Sequence, residues 1–466
     1  MQYTPNTEGQ VAEMLAALGL SSLDDLFADI PEDIPFPRFR GDMSGKTEPE
    51  VRARLESLAR GNWSADDAPI FLGAGCYDHY IPAAVDYLLQ RSEFATSYTP
   101  YQPEISQGIL QGIFEYQTLI CRLTGMAVAN ASLYCGGSAL AAACRIAADT
   151  VKKPKILLPA SLHPEYAQIV KSAGIAGFYE TVEVPIAEKP SASVQSGVVD
   201  LNAFENLLGD DVAAVVIPYP NFYGALEPVG SLIEQIRAKT KALVIMSVDP
   251  FSLAMLKPPG EWGADIAVGD AQSLGNRMSF GGPHLGFMAV TDKLLRKIPG
   301  RLVGQTVDDR GNRSFVLTLQ AREQHIRREK ANSNICSNQA LCALATVMYL
   351  AFVGPAGLKQ AAAISHRLTC YAQEKFRRAG LRIRYTAPVF QEFAVCVDKP
   401  AKANEFILDN GMIGGYELPD ALLFAFTEKR TAEEVDKLVD VMSQYAFSAR
   451  KGSAKGAKGA RGRDRK

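Results

Sequence analysis

The chain of 466 residues has only five histidines and two tryptophans. Its eight cysteines, at positions 76, 121, 135, 144, 336, 342, 370 and 396, form no CxxC pair, and no histidine stands at zinc-ligand spacing. That pattern argues against a metal site and reads as small buried hydrophobes of a reducing compartment. No GxGxxG follows a strand and no GxxxxGK[ST] occurs, which removes the common nucleotide-binding loops; "GGPHLG" at 281–286 lacks the strand-to-helix setting they need. No run of roughly 18 or more apolar residues suggests a membrane span, and "MQYTPNTEGQVAEML" has neither an apolar signal core nor an Arg-rich transit pattern, so a cytoplasmic location is expected.

Charge is also missing in one sense. Lys and Arg number 49 against 51 Asp and Glu, so no net field favours nucleic acid or an anionic membrane. The final "RKGSAKGAKGARGRDRK" nevertheless holds eight basic residues and one acid, on an otherwise acidic body. With no large apolar side chain, 448–466 is expected to be a disordered basic tail.

What is present is a 47% hydrophobic composition, enough for a large core. Residues 1–67 read as short helices and extended connectors: Thr7 and Gln10 make a capping box, Gly19 stops that helix, and Ser22 caps "LDDLF". From 68 to 345, apolar strands such as "KPKILLP", "VAAVVIPYPN", "ALVIMSVDPFSL" and "ADIAVGD" alternate with helical periods, implying a mostly parallel sheet covered on both faces. Residues 346–447 read as a small α+β domain closed by a helix with a Thr431–Glu434 capping box.

Three stretches carry candidate chemistry. In "CGGSALAAAC", Gly136, Gly137 and Ser138 open an Ala-rich helix whose free N–H groups suit an anion such as a cofactor phosphate, or else form a tight packed junction. Asp249 ends an apolar strand, where open α/β sheets place ligands; its carboxylate could hold a protonated ring nitrogen or cap the next turn. "AREQHIRREKANSN" gathers His325, Arg327, Arg328 and Lys330 on an expected helix, with Glu323 paired to Arg327, as a docking surface or a solvated face. His79, His163, His284 and His366 show no catalytic spacing and read as local hydrogen-bonding residues.

The segments "EMLAALGLSSLDDLFADIP", "FLGAGCYDHYIPAAV", "TSYTPYQPEISQGILQGIFEYQTLICRLTGM", "YCGGSALAAAC" and "REQHIRREKANSNICSNQAL" run through nearly the whole chain in order. Together they resemble the glycine cleavage system P-protein, and specifically the N-terminal half that many bacteria and archaea make as a separate subunit 1. The resemblance implies a fold type I, pyridoxal-phosphate-dependent transferase-like domain. It also implies a heterotetramer with subunit 2, in which glycine loses CO2 and passes its aminomethyl group to the lipoyl group of the H-protein.

A lysine of that fold would lie in the loop after the strand "GADIAVGD", yet "AQSLGNRMSFGG" contains none and Ser273 holds the place. Lys257 and Lys293 flank the loop at a distance. No catalytic residue is therefore expected in this chain, and pyridoxal phosphate is expected mainly on the partner, with a vestigial pocket here at Gly136, Gly137, Ser138 and Asp249. The proline-stiffened "SYTPYQPEISQG" is expected to reach the partner's active site through Tyr98, Thr99, Tyr101, Gln102 and Glu104, or else to form a structural interface turn that never touches substrate. Two alternatives stay open: a self-sufficient pyridoxal-phosphate enzyme using a lysine such as Lys257, and a non-catalytic scaffold or regulator.

Overall fold

The computed structural model describes residues 6–31, 33–34, 45–95, 100–190, 195–331, 333–335 and 338–460. The chain divides into two compact units, Met1–Trp63 and Ser64–Lys466. In the first, the helix Glu8–Leu18 starts with the expected capping box, Thr7 N donating to Gln10 Oε1 at 2.8 Å and Gln10 N to Thr7 Oγ1 at 3.3 Å, and Gly19 ends it at φ 72°. Ser22 Oγ accepts from Asp25 N at 3.3 Å at the start of the turn Asp24–Phe27. A second helix spans Glu48–Ala59.

The second unit is built on seven strands: β1 (Val128–Ala129), β2 (Lys155–Pro159), β3 (Glu180–Val184), β4 (Val212–Tyr219), β5 (Leu243–Val248), β6 (Ile266–Asp270) and β7 (Gly286–Val290). Their order is β1-β7-β6-β5-β4-β2-β3. The pairs from β3 through β6 are parallel, while β7 runs antiparallel to both β6 and β1. Every residue of β4 is buried, as the unbroken apolar run "VAAVVIPY" requires of a central strand covered on both faces.

Alternation then sorts the two faces. Val244, Met246 and Val248 of β5 join a core with Tyr116, Ile120 and Tyr349 from the helices Gln107–Thr124 and Ala340–Arg378. Ile245 points the other way, into a core with Leu140, Ala143 and Val170 from the helices Gly136–Val151 and Pro164–Gly174. A hairpin, β8 (Leu302–Val307) and β9 (Arg313–Thr318), lies on the helix Gln107–Thr124, where the buried Gln117 side chain exchanges hydrogen bonds of 3.0 and 2.9 Å with the Val303 backbone.

The helix Ala340–Arg378 is kinked at Gly354, with Pro355 following, and is the one helix among the described residues long and apolar enough to cross a membrane. Its apolar stretch is interrupted by Thr346, Gly354 and Pro355, and Ala343, Leu344, Tyr349 and Leu350 are buried in the core. The expected boundary at 345 falls inside this helix. Beyond it, β10 (Glu392–Cys396), β11 (Tyr416–Leu418) and β12 (Ala421–Ala425) form an antiparallel sheet of order β10-β12-β11. Ile383 adds a single antiparallel bridge to Val395. The last helix runs Ala432–Ala460, so its backbone continues past 447 into the segment expected to be a disordered tail.

Candidate functional site

The carboxyl ends of β4, β5 and β6 meet the N-terminus of the helix Gly136–Val151, the crevice where open α/β sheets place ligands. A cavity of about 70 Å3 lies there, lined by Tyr77, His163, Tyr166, Asp249, Asp270 and Glu392 among others. Asp249 caps the turn after β5, with Phe251 N donating to Oδ1 at 3.1 Å, and its residue also lines the cavity. Ser273 Oγ donates to the same Oδ1 at 3.0 Å, and Gln391 Nε2 to Oδ2 at 3.2 Å. Burial pushes the Asp249 carboxyl up from its usual value, partly opposed by His79 nearby.

The helix N-terminus is occupied by the chain itself. Asp270, the last residue of β6, accepts from Gly136 N at 3.0 Å through Oδ2, and from Gln272 N and Leu285 N through Oδ1. His284 Nδ1 stands 3.4 Å from Oδ2, and this carboxylate raises the His284 pKa. A Cβ at Gly136 would run into the Tyr166 hydroxyl, so the first glycine is required by close approach. Ser138 turns away from the cavity: its hydroxyl donates to Cys135 O at 2.9 Å and accepts from Cys135 N at 3.1 Å. Of the four expected pocket residues, Gly136 and Asp249 come to one site, whereas Ser138 caps its own helix and Gly137 packs against Ile169 and Tyr166.

Two cavity residues were not legible in the sequence. Glu392, 3% exposed, accepts from Tyr77 Oη at 2.5 Å and from Ala74 N at 3.0 Å. Burial, reinforced by Asp249, pushes its carboxyl up to about 7. Gly224, at φ 77°, lets the backbone approach Glu392 O where any Cβ would clash. Tyr77 and Glu392 are 315 residues apart, so no local pattern could join them. Asp270 did carry a signal, the same acid at a strand's carboxyl end that drew attention to Asp249.

The histidines are held locally. His79 Nδ1 lies 2.7 Å from Glu428, and its ring, tilted by 32°, has its centre 3.9 Å from that of Phe251. His163 Nδ1 accepts from Glu165 N at 3.2 Å, so Nε2 donates to Ala74 O at 3.0 Å, and its ring stacks on Tyr166 at 4.6 Å. His366 Nδ1 donates to Phe390 O at 3.0 Å.

A second candidate surface lies elsewhere on the same unit. Tyr98 and Thr99 fall outside the described residues, but Tyr101, Gln102 and Glu104 are exposed, and Gln107 fastens the loop by bonding Pro103 O at 2.7 Å and the Phe315 backbone at 2.9 and 2.8 Å. The helix after the loop begins at Gln107. Arg301, 4% exposed, donates to Tyr101 Oη at 3.0 Å, with its guanidinium 4.8 Å from the ring centre.

The expected Glu323–Arg327 pair is replaced by an inward one. Glu323 lies 3.8 Å from Arg301 and 3.6 Å from His325. The regular helix there is only Gln324–Arg327, followed by a tighter turn at Arg328–Lys330, because Glu323 is extended and Arg328 has φ 53°. His325 meets Tyr101 edge-on at 6.0 Å. The described part of the loop, 100–104, and 325–330 thus meet through Tyr101, Arg301, Glu323 and His325.

A model of the glycine cleavage system P-protein family matches residues 1–442. The chain belongs to the glycine cleavage system P-protein family. It is 54% identical over 438 residues to a probable glycine dehydrogenase (decarboxylating) subunit 1 of Syntrophomonas wolfei subsp. wolfei, covering 94% of this chain and 98% of that one. A protein of the same description from Carboxydothermus hydrogenoformans is 52% identical over 95% of this chain and 99% of its own length. Among solved structures, a glycine decarboxylase (P-protein) of the glycine cleavage system, in inhibitor-bound form, superimposes with TM-score 0.84 at 41% identity over 95% of this chain and 100% of that one. The sphingosine-1-phosphate lyase of Burkholderia pseudomallei, at 16% identity and TM-score 0.64 over 92% of this chain and 97% of that one, shares the fold.

The fold is thus the fold type I of pyridoxal-phosphate-dependent enzymes, but this P-protein chain's own pocket does not fit that cofactor. Ser273 offers no amine, and Asp270 sits on the helix N-terminus where a phosphate would need to bind. No Lys or Arg lines the cavity, which instead presents three carboxyl groups. Lys257 does not rescue the chemistry: its Nζ lies over the Trp262 ring at 4.1 Å and does not line the cavity. Among the described residues, no group of three His, Cys, Asp or Glu side chains could hold a metal ion.

Proposed function

We propose that this chain is subunit 1 of a cytoplasmic glycine dehydrogenase (aminomethyl-transferring, decarboxylating) and works only with subunit 2, two copies of each making the enzyme. Subunit 2 would carry the Schiff-base lysine and pyridoxal phosphate, the electron sink for decarboxylation. The lipoyl group of the H-protein would receive the aminomethyl group. The observation that carries this reading is the combination of a family-wide match with a pocket that excludes the family's cofactor.

In this reading, the exposed face of Tyr101, Gln102, Glu104, His325, Arg327, Arg328 and Lys330 is what the chain contributes to its partner. Its side chains offer phenol and amide donors together with cations, the groups that orient a small carboxylate or a phosphate. Arg301 holds Tyr101 from beneath, so the phenol is presented in a fixed direction.

The test is glycine-dependent CO2 release with pyridoxal phosphate and lipoylated H-protein, measured for this chain alone, for subunit 2 alone and for the mixture. Turnover is expected only in the mixture, and Tyr101→Ala is expected to lower it while the two subunits still co-elute. Turnover by this chain alone would overturn the reading, and unchanged turnover with Tyr101→Ala would remove this face from it.

A further inference from the structure

The cavity that rejects a phosphate has the opposite complementarity. Asp249 and Glu392 both line it, and Asp249 raises the cost of ionising Glu392. An adjoining cleft of about 20 Å3 shares Tyr77, Asn221, Asp249 and Glu392 and adds Gln391. Gln391 is 2% exposed; its Nε2 donates to Asp249, which fixes the amide orientation, and its Oε1 has no hydrogen-bond partner. A buried acceptor in that condition is destabilising unless something donates to it.

A carboxylate offers about four lone-pair sites. Glu392 receives two hydrogen bonds and Asp249 three, so both keep acceptor capacity beside the orphaned Gln391 oxygen. Four rings, those of Tyr77, His163, Tyr166 and Phe222, also line the cavity, and His163 lies between Tyr166 and Phe222 at 4.6 and 5.0 Å. Three acceptors match the three N–H donors of a primary ammonium, and aromatic faces favour the same charge. The geometry points to this pocket as a binding site for a small primary alkylammonium ion that carries no carboxylate.

Size narrows the class. At roughly 10–15 Å3 per water-sized site, a cavity of about 70 Å3 admits roughly five heavy atoms. A zwitterionic amino acid of that size is disfavoured because its own carboxylate would face Asp249, Asp270 and Glu392. Nothing in the proposal depends on how the chain pairs with subunit 2, because every group named belongs to this chain.

The experiment is calorimetric titration of methylammonium chloride into the full chain, and into its complex with subunit 2, against potassium chloride and tetramethylammonium chloride. Saturable binding of methylammonium alone is expected. Loss of a hydrogen bond to a charged group predicts that Glu392→Gln and Gln391→Leu each weaken it about tenfold or more. No saturable heat with methylammonium would overturn the assignment, as would equal binding of tetramethylammonium, which has no N–H, or of potassium. If a variant fails to fold by circular dichroism, the comparison of the three salts on the wild-type chain still decides the matter.

Discussion

Two regions of this molecule gather polar and charged side chains, and they treat them in opposite ways. At the carboxyl edge of the sheet, the chain fills its own site: Asp270 takes the helix N-terminus, Ser273 bonds Asp249, and Tyr77 bonds Glu392. On the face made by 100–104 and 323–330, buried groups support exposed ones: Arg301 and Glu323 lie inside, while Tyr101 is 51% exposed and Arg327, Arg328 and Lys330 are exposed. One region answers its polar groups internally and the other presents them outward. In the proposed assembly, that is how a fold keeps a role in catalysis after its own pocket stops accepting the cofactor.

The largest expected effect comes from breaking the support of the outward face. Arg301→Leu removes the buried cation beside Glu323, which keeps His325 at 3.6 Å, and the hydrogen bond that Arg301 donates to Tyr101, and should cost about 3 kcal/mol in denaturant unfolding. Turnover in the mixture should fall with it. If stability is unchanged, Arg301 is not the prop described here.

The inward region can be challenged by giving it back what it lacks. Ser273→Lys should still yield no visible-absorbing adduct with added pyridoxal phosphate, because Asp270 continues to hold the phosphate end of the site. A visible band in that single variant would show that the missing lysine alone separates this pocket from a working one.

A third effect depends on pH. The Glu392 carboxyl is raised from 4.5 to about 7 in the folded chain, so the folded state keeps a proton that the unfolded state has lost. Its contribution is present in full below the unfolded value and disappears as pH rises through the folded one. Between those limits Glu392→Gln should gain on wild type by up to roughly 3 kcal/mol as pH rises. A difference between the two proteins that stays flat with pH would mean Glu392 ionises normally.

The smallest effect is Tyr101→Phe, which keeps the ring over Arg301 and removes one hydrogen bond, worth about 1 kcal/mol. Stability should change little, and any loss of turnover beyond that would assign the hydroxyl a part in the partner's site.

Much of this architecture was legible because it rests on local pattern. The run "VAAVVIPY" could only be a strand covered on both faces, and the boxes at Thr7–Gln10 and Thr431–Glu434 are local devices that form as read. Asp249 and Ser273 were found because a strand end and the loop after the next strand have fixed roles in this fold. What escaped was non-local or depended on backbone conformation. Glu392 sits in a strand whose burial gives no hint that Tyr77, far earlier in the chain, will bond it. Glu323 has the right spacing for Arg327 on a helix, but it is extended and precedes the helix, so it turns in to Arg301. Ser138 looked free at a helix start until Cys135 took its hydroxyl.

The contrast between the two regions is tested most directly by counting bound pyridoxal phosphate in the purified complex with subunit 2. The account predicts one cofactor for each pair of subunits, released only when subunit 2 is denatured or its lysine is replaced. Two cofactors per pair, or any retained by this chain after the subunits are separated, would contradict it.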